Sequence, residues 1–176
     1  MEKVKLLKID DCIHTFEDLA LKVLPKHFRK IEISLESPWP AILFSQKGFG
    51  PKAIANHLEI PKDFSGCYVF SESSNPIYVG ISRGVLARVR QHMLGRTHFD
   101  ATLAYAMAQR RCPTKGQRSV VMADECFKAA FSEAQAYLQS LYVSAIQIEN
   151  PLELHIFESF AAMALGTSEW NTFRTH

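Results

Sequence analysis

Tyr68, Tyr78, Arg88, His92 and, far downstream, Glu158 are the side chains whose types and spacing suit chemistry. Arg88 and His92 stand one helical turn apart, so a helix brings them along one edge. Two phenols, a fixed guanidinium and an imidazole gathered at one end of a small sheet suit a phosphodiester. The cation neutralises phosphoryl oxygens while a phenol or imidazole moves a proton. Each residue taken singly has a plain structural explanation, as a strand aromatic or a solvated helix residue, so the inference rests on the combination. Glu158 falls beside an apolar row, with Leu154 before it and Ala161 after it. A carboxylate there is costly unless a cation meets it. Either an arginine such as Arg88 or a metal ion would satisfy it.

The elements that must position these groups follow from periodicity. The apolar runs Cys67 to Phe70 and Ile77 to Ile81 each carry one tyrosine, and the turn formers of Ser71 to Pro76 make them a hairpin. After Gly80 the period changes, and Val85, Leu86, Val89 and Met93 fall on one helix face. A third strand is predicted at Tyr142 to Glu149, where the residues alternate. Asn150-Pro151-Leu152-Glu153 then starts a helix, with Asn as cap, Pro first and Glu reaching back, and Gly166 ends it. Between these halves Leu103 to Arg111 reads as helix, Ser119 to Met122 as a short strand or turn, and Asp124 to Leu141 as a long amphipathic helix whose aromatic stripe is core. Upstream, a Thr15/Asp18 capping pair opens a helix near residues 15 to 24 that Pro25 interrupts or ends. Ile31 to Leu35 alternates like a strand, Ala41 to Phe44 reads as another, and Pro51 to Leu58 as a short helix. Lys47 to Lys52 lacks the spacing of a phosphate-binding loop.

With these residues in view, the chain resembles the GIY-YIG nucleases. Gly66-Cys67-Tyr68 is similar to the first motif that names the family, with Cys for Ile, and Tyr78-Val79-Gly80 to the second, with Val for Ile. Arg88 matches the family arginine that follows the second tyrosine, and His92 matches a histidine that many members carry one turn later. Glu158 and Asn171 fit the order and spacing of the metal-binding glutamate and the later asparagine. The resemblance covers Gly66 to His92 and about Tyr142 to Asn171. It implies an α+β fold, a small three-stranded antiparallel sheet flanked by helices over 65–176, with an N-terminal extension over 1–64 and a helical insertion over about 95–141. It also implies a hydrolase, a metal-dependent endonuclease cutting phosphodiester bonds in nucleic acid, DNA in preference to RNA. Glu158 would hold Mg2+ or Mn2+, hard ions that prefer oxygen ligands and keep several waters. Arg88 would neutralise phosphoryl charge, with Tyr68 as base, His92 as proton relay and Tyr78 as positioner, the two tyrosines being open to exchange. Asn171 would hold a backbone turn or bind phosphate. The competing class is a non-cleaving nucleic-acid-binding or scaffolding module of the same fold. Retention of all the expected polar positions favours the enzyme.

Composition narrows the setting. The formal net charge of +2 neither demands nor excludes nucleic acid. Arg96, Arg110, Arg111, Lys115 and Arg118 concentrate positive charge in the insertion, either for phosphate-backbone contacts or as solubilising charge. The insertion is also a candidate homodimer surface. With 47% hydrophobic and 22% charged residues, the length of 176 suits one well-packed domain. The 4 cysteines show no CxxC pair, so structural zinc is not expected and free thiols are. No secretory segment and no long apolar run is present in this sequence, so a cytoplasmic protein with no membrane partner is the expectation.

Overall fold

The structure is a computed structural model and describes residues 8–173. The two tyrosine-bearing runs form the hairpin that their composition demands. β2 (Gly66–Glu72) and β3 (Asn75–Ser82) pair antiparallel, with Tyr68 opposite Gly80 and Phe70 opposite Tyr78, and the register shifts at Phe70/Ser71. β4 (Tyr142–Gln147) pairs antiparallel with the other edge of β2, and a two-residue strand β1 (Trp39–Pro40) pairs with β4. The order is β1-β4-β2-β3, so the fold is α+β with a four-stranded rather than a three-stranded sheet. β1 escapes sequence reading because a strand of two residues has no period, and its Pro40 has no N–H to give a ladder.

Two further strands predicted upstream do not form. α1 (Phe16–Asp18), a π-helical stretch Leu19–Val23 and α2 (Leu24–Leu35) run on as one helix, opened by Thr15, whose Oγ1 accepts from the Asp18 N–H at 3.1 Å. Pro25 does not end this helix, because it falls in the first turn of α2, where the π-helical stretch has already displaced the ordinary bonding pattern. Leu24, Phe28, Ile31 and Leu35 form its apolar stripe. Ile33, which a strand would turn inward with Ile31 and Leu35, is instead 59% exposed. Ala41–Ser45 is a 3-10 turn, not a strand, and it buries Ala41, Leu43 and Phe44 together, which strict alternation forbids. The Ser119 to Met122 stretch belongs to a helical turn, α6 (Arg118–Val121).

The remaining helices follow their caps. They are α3 (Pro51–His57), α4 (Val85–Leu94), α5 (Thr102–Arg111), α7 (Glu125–Gln139) and α8 (Pro151–Ala164). Asp124 Oδ1 accepts from Phe127 N–H at 2.9 Å to start α7, and Asn150 Oδ1 accepts from Glu153 N–H at 3.1 Å to start α8. Glu153 does not reach back to the cap. Its carboxylate meets His27 Nε2 at 3.2 Å, tying α8 to α2.

The sheet separates two apolar layers. Tyr68 and Phe70 face α4, α5 and α7 through Leu86, Val89, Leu103 and Phe127. Cys67, Val69, Val79 and Ile146 face α2 and α8 through Ile31, Leu154 and Phe157. Residues before Gly66 contribute to both layers. Cys112, just past α5, and Cys126, in the first turn of α7, form a disulfide, which corrects the expectation of free thiols for this pair. No local spacing announces it, since only the packing of α5 on α7 brings the two together. Cys12 and Cys67 are free and buried. No helix among the described residues is long and apolar enough to cross a membrane.

Candidate active site

The glycines of the two strand motifs are dictated by close approach. A Cβ on Gly80 would run into the ring and hydroxyl of Tyr68, its cross-strand partner, and one on Gly66 would run into the Ile146 carbonyl oxygen. Gly80 thereby provides the floor on which Tyr68 lies. Tyr68 then reaches α4, where its hydroxyl stands 2.7 Å from His92 Nε2. Both side chains are sealed, Tyr68 at 1% exposure and His92 at 0%. Burial pushes His92 down to about 3, with the Arg88 charge adding to the effect, so the imidazole is neutral. Burial holds the Tyr68 phenol well above its ordinary range, the neighbouring Tyr78 adds to that, and Arg88 opposes it. A phenol so placed does not touch bulk water. Tyr68 as the base that meets the attacking water is therefore not what the geometry provides.

α4 is held in place by a residue that sequence reading passed over. Gly84 stands at its N-cap with no side chain to accept the first N–H groups. Asp63 does so from outside the helix, Oδ1 accepting from Leu86 N–H at 2.8 Å and Oδ2 from Ala87 N–H at 3.1 Å. The available signal was the missing cap itself, which calls for an acceptor from elsewhere. Arg88, one turn on, is half-buried and fixed at its tip. Its Nη1 donates to the Asp100 carbonyl at 2.6 Å and to Gln91 Oε1 at 3.3 Å, and Nη2 donates to Thr102 Oγ1 at 2.8 Å. The insertion thus anchors the guanidinium beside the two tyrosines.

Tyr78 is the less enclosed phenol, partly buried where Tyr68 is sealed. Burial raises its pKa, the Glu158 charge raises it further, and the Arg88 charge opposes both. Glu158 projects from α8 on the Cys67 face of the sheet, yet its charge is felt by Cys67 and Tyr78 alike, because β3 is the edge strand and, among the described residues, no further strand lies beyond it. The Glu158 carboxyl is itself raised by burial, with only His155 opposing. No ion pair joins it to Arg88 among the described residues. The structural alternative of an Arg88–Glu158 pair is therefore not realised. Asn171 closes the open edge: its Oδ1 accepts from Val79 N–H at 2.9 Å and its Nδ2 donates to the Val79 carbonyl at 2.8 Å, one residue from Tyr78. Thr167 Oγ1 donates to the same Oδ1 at 2.9 Å.

Compared with family models, with curated proteins and with solved structures, the chain matches none. The site therefore stands on its own geometry.

Among the expected cationic contacts, two are engaged within the protein. Arg110 donates to Glu169 Oε1 at 2.9 Å and to its carbonyl at 2.6 Å while stacking 4.1 Å from the Trp170 ring, and Arg111 pairs with Glu133 at 2.6 Å. Arg96, Lys115 and Arg118 are exposed. A groove of about 420 Å³ runs along α5 between Thr102, Tyr105, Arg110 and Arg118, and Thr102 links it to Arg88. Among the described residues Cys112, Asp124 and Cys126 are a group of potential metal ligands, with ligand atoms within 4.8 Å of one another. Two sulfurs and a carboxylate suit a softer ion than Mg2+ or Mn2+, and these sulfurs are already joined.

Proposed function

We propose that the protein is a metal-dependent endonuclease of the GIY-YIG kind, with that family's fold, hydrolysing phosphodiester bonds in nucleic acid, DNA in preference to RNA. The observation that carries this reading is the placement of Tyr78. A partly buried phenol, less enclosed than Tyr68, lies in the fields of both a fixed guanidinium, Arg88, and a partly buried carboxylate, Glu158, on the edge strand of the sheet. Those three groups have the chemistry that phosphoryl transfer to water requires.

Glu158 suits Mg2+ or Mn2+: it is a hard oxygen donor, partly buried, whose negative form lacks a strong cationic partner. Glu158, with substrate oxygens, would hold such an ion, which would supply positive charge to stabilise the leaving oxygen. Arg88 stabilises charge on the phosphoryl oxygens, a role for which its planar fork is better shaped than a lysine. Tyr78, the less enclosed of the two phenols, would give its own phenolic proton to solvent and, as phenolate, orient the attacking water and take up its proton. The Glu158 charge contributes to raising the Tyr78 pKa, so its neutralisation by a bound ion would favour the phenolate. Tyr68 and His92 act as a buried neutral pair that holds the aromatic cluster, with Tyr78 packed against His92 at 5.8 Å between ring centroids.

The test is a plasmid-nicking assay with and without Mg2+ or Mn2+. Wild type nicks only with metal, and Glu158→Ala abolishes nicking while keeping the melting temperature. Unchanged nicking by Glu158→Ala would remove the metal assignment. A second reading, a non-cleaving nucleic-acid-binding module, is favoured by the neutral, sealed state of Tyr68 and His92 and by the donors of Arg88 being taken up by Asp100 and Thr102. Metal-independent binding with no nicking in any condition would select it.

A further inference from the structure

The loop between α4 and α5 carries a feature that the phosphodiester site does not use. Thr97 and Asp100 close this loop on itself, with Thr97 Oγ1 donating to Asp100 Oδ2 at 2.7 Å and Asp100 N–H donating to Thr97 Oγ1 at 3.2 Å. The closed loop presents Phe99 outward at 72% exposure. A lone exposed phenylalanine is unremarkable, but this one belongs to a ladder of flat groups. Its ring centroid lies 3.9 Å from that of His98, His98 lies 5.9 Å from Tyr105, and the Arg118 guanidinium lies 5.7 Å from the Tyr105 ring. His98, Tyr105 and Arg118 line the groove along α5, which leads through Thr102 to Arg88. Arg96 and Arg118 form no ion pair among the described residues. Their charge is therefore available to an anion, unlike that of Arg110 and Arg111.

Alternating π faces and unpaired cations beside a groove form the pattern that takes a nucleic-acid strand without reading its sequence. Bases stack on the rings and phosphates meet the arginines. A base inside an intact duplex offers no free face, so a platform of this kind selects an unstacked one. We propose that Phe99 and His98 form a stacking platform for an unpaired nucleobase, with Arg96 and Arg118 holding the flanking phosphates. The protein would therefore engage single-stranded or splayed nucleic acid more tightly than closed duplex. This rests on the nucleic-acid reading of the site and assigns that site a substrate form.

The experiment measures binding in EDTA, so that cleavage plays no part. Fluorescence anisotropy compares a dye-labelled 12-nucleotide single strand, a forked duplex with unpaired arms and a blunt duplex, for wild type, Phe99→Ala and Arg118→Ala. Wild type should bind strand and fork more tightly than blunt duplex. Phe99→Ala should weaken strand and fork binding by roughly 5- to 100-fold, the range for loss of one stacked base, with blunt-duplex binding unchanged. Phe99 packs outside the core, so the variant should melt with wild type. Arg118→Ala should weaken binding and shallow its salt dependence. Equal wild-type affinity for strand and blunt duplex, an unaltered Phe99→Ala, or no binding at all would each overturn the proposal. Phe99-dependent strand binding with no metal-dependent nicking would remove the nuclease reading and leave the platform standing. Metal-dependent nicking together with strand binding that is indifferent to Phe99 would do the reverse.

Discussion

Replacing His92 with glutamine should flatten the acid limb of the stability curve. The imidazole is fully buried, with Nε2 2.7 Å from the Tyr68 hydroxyl, and burial depresses its pKa to about 3. In the unfolded chain a histidine titrates near 6.5. Between those values the unfolded state binds a proton that the folded state refuses, so stability rises with pH through that window. The contribution of neutral His92 is complete above the unfolded pKa and is lost as pH falls below it. At about pH 4.5, roughly two units below the unfolded value, the loss is RT ln(1 + 10²), or about 2.7 kcal/mol. Glutamine keeps a hydrogen-bonding end for Tyr68 and does not titrate. The assay is urea unfolding of wild type and His92→Gln at about pH 8 and about pH 4.5, read as a difference of differences, so that carboxylates common to both proteins cancel. Wild type should lose about 2.7 kcal/mol more than the variant on acidification. Equal losses would show that His92 takes up its proton without unfolding, and the neutral Tyr68–His92 pair would fall with that result.

Arg88→Lys should lower the rate of phosphodiester cleavage by at least about 100-fold, because a lysine cannot reproduce the forked contacts to phosphoryl oxygens, and should also lower the melting temperature, since it cannot bond the Asp100 carbonyl and Thr102 together. A wild-type rate would refute the role given to Arg88. Gly80→Ala drives a Cβ into the Tyr68 ring and should cost roughly 1–3 kcal/mol in urea unfolding. That cost should largely vanish in a Tyr68→Ala background, and strictly additive losses would show that the contact is not its source. Glu158→Gln in the absence of metal should stabilise the fold near pH 7.5 and have no such effect near pH 3.5. The reason is that burial raises the Glu158 carboxyl, so the stability its protonated form contributes is present below the unfolded pKa and lost as pH rises through the folded one. Thermal melts at the two pH values check this, and a gain that does not depend on pH would refute it.

Elements with a cap and a sustained period were legible before any fold was known. The Asn150 cap of α8, the amphipathic period of α7 and the hairpin of β2 and β3 all lie where their residues place them. Five residues of alternation at Ile31 to Leu35 were too few to separate a period of two from one of 3.6, and the wider stripe from Leu24 to Leu35 decided for helix. The Cys112–Cys126 bond, the remote cap from Asp63 and the ion pairs that occupy Arg110 and Arg111 join residues that no local pattern connects. Each depends on which helix packs on which.

The sequence by itself determined the inventory of the site and its local supports: the two tyrosines on strands, Arg88 and His92 one turn apart on a helix, and Glu158 on a capped helix beyond. Those are products of steric period and capping, which act over a few residues. Only the tertiary structure decided what each tyrosine can do. Tyr68 and Tyr78 occupy equivalent places in two similar apolar runs, but β2 is flanked by strands on both sides and β3 is not. Strand order therefore seals one phenol against a neutral histidine and leaves the other less enclosed, between a guanidinium and a carboxylate, because desolvation and electrostatic coupling depend on neighbours that are distant in the chain.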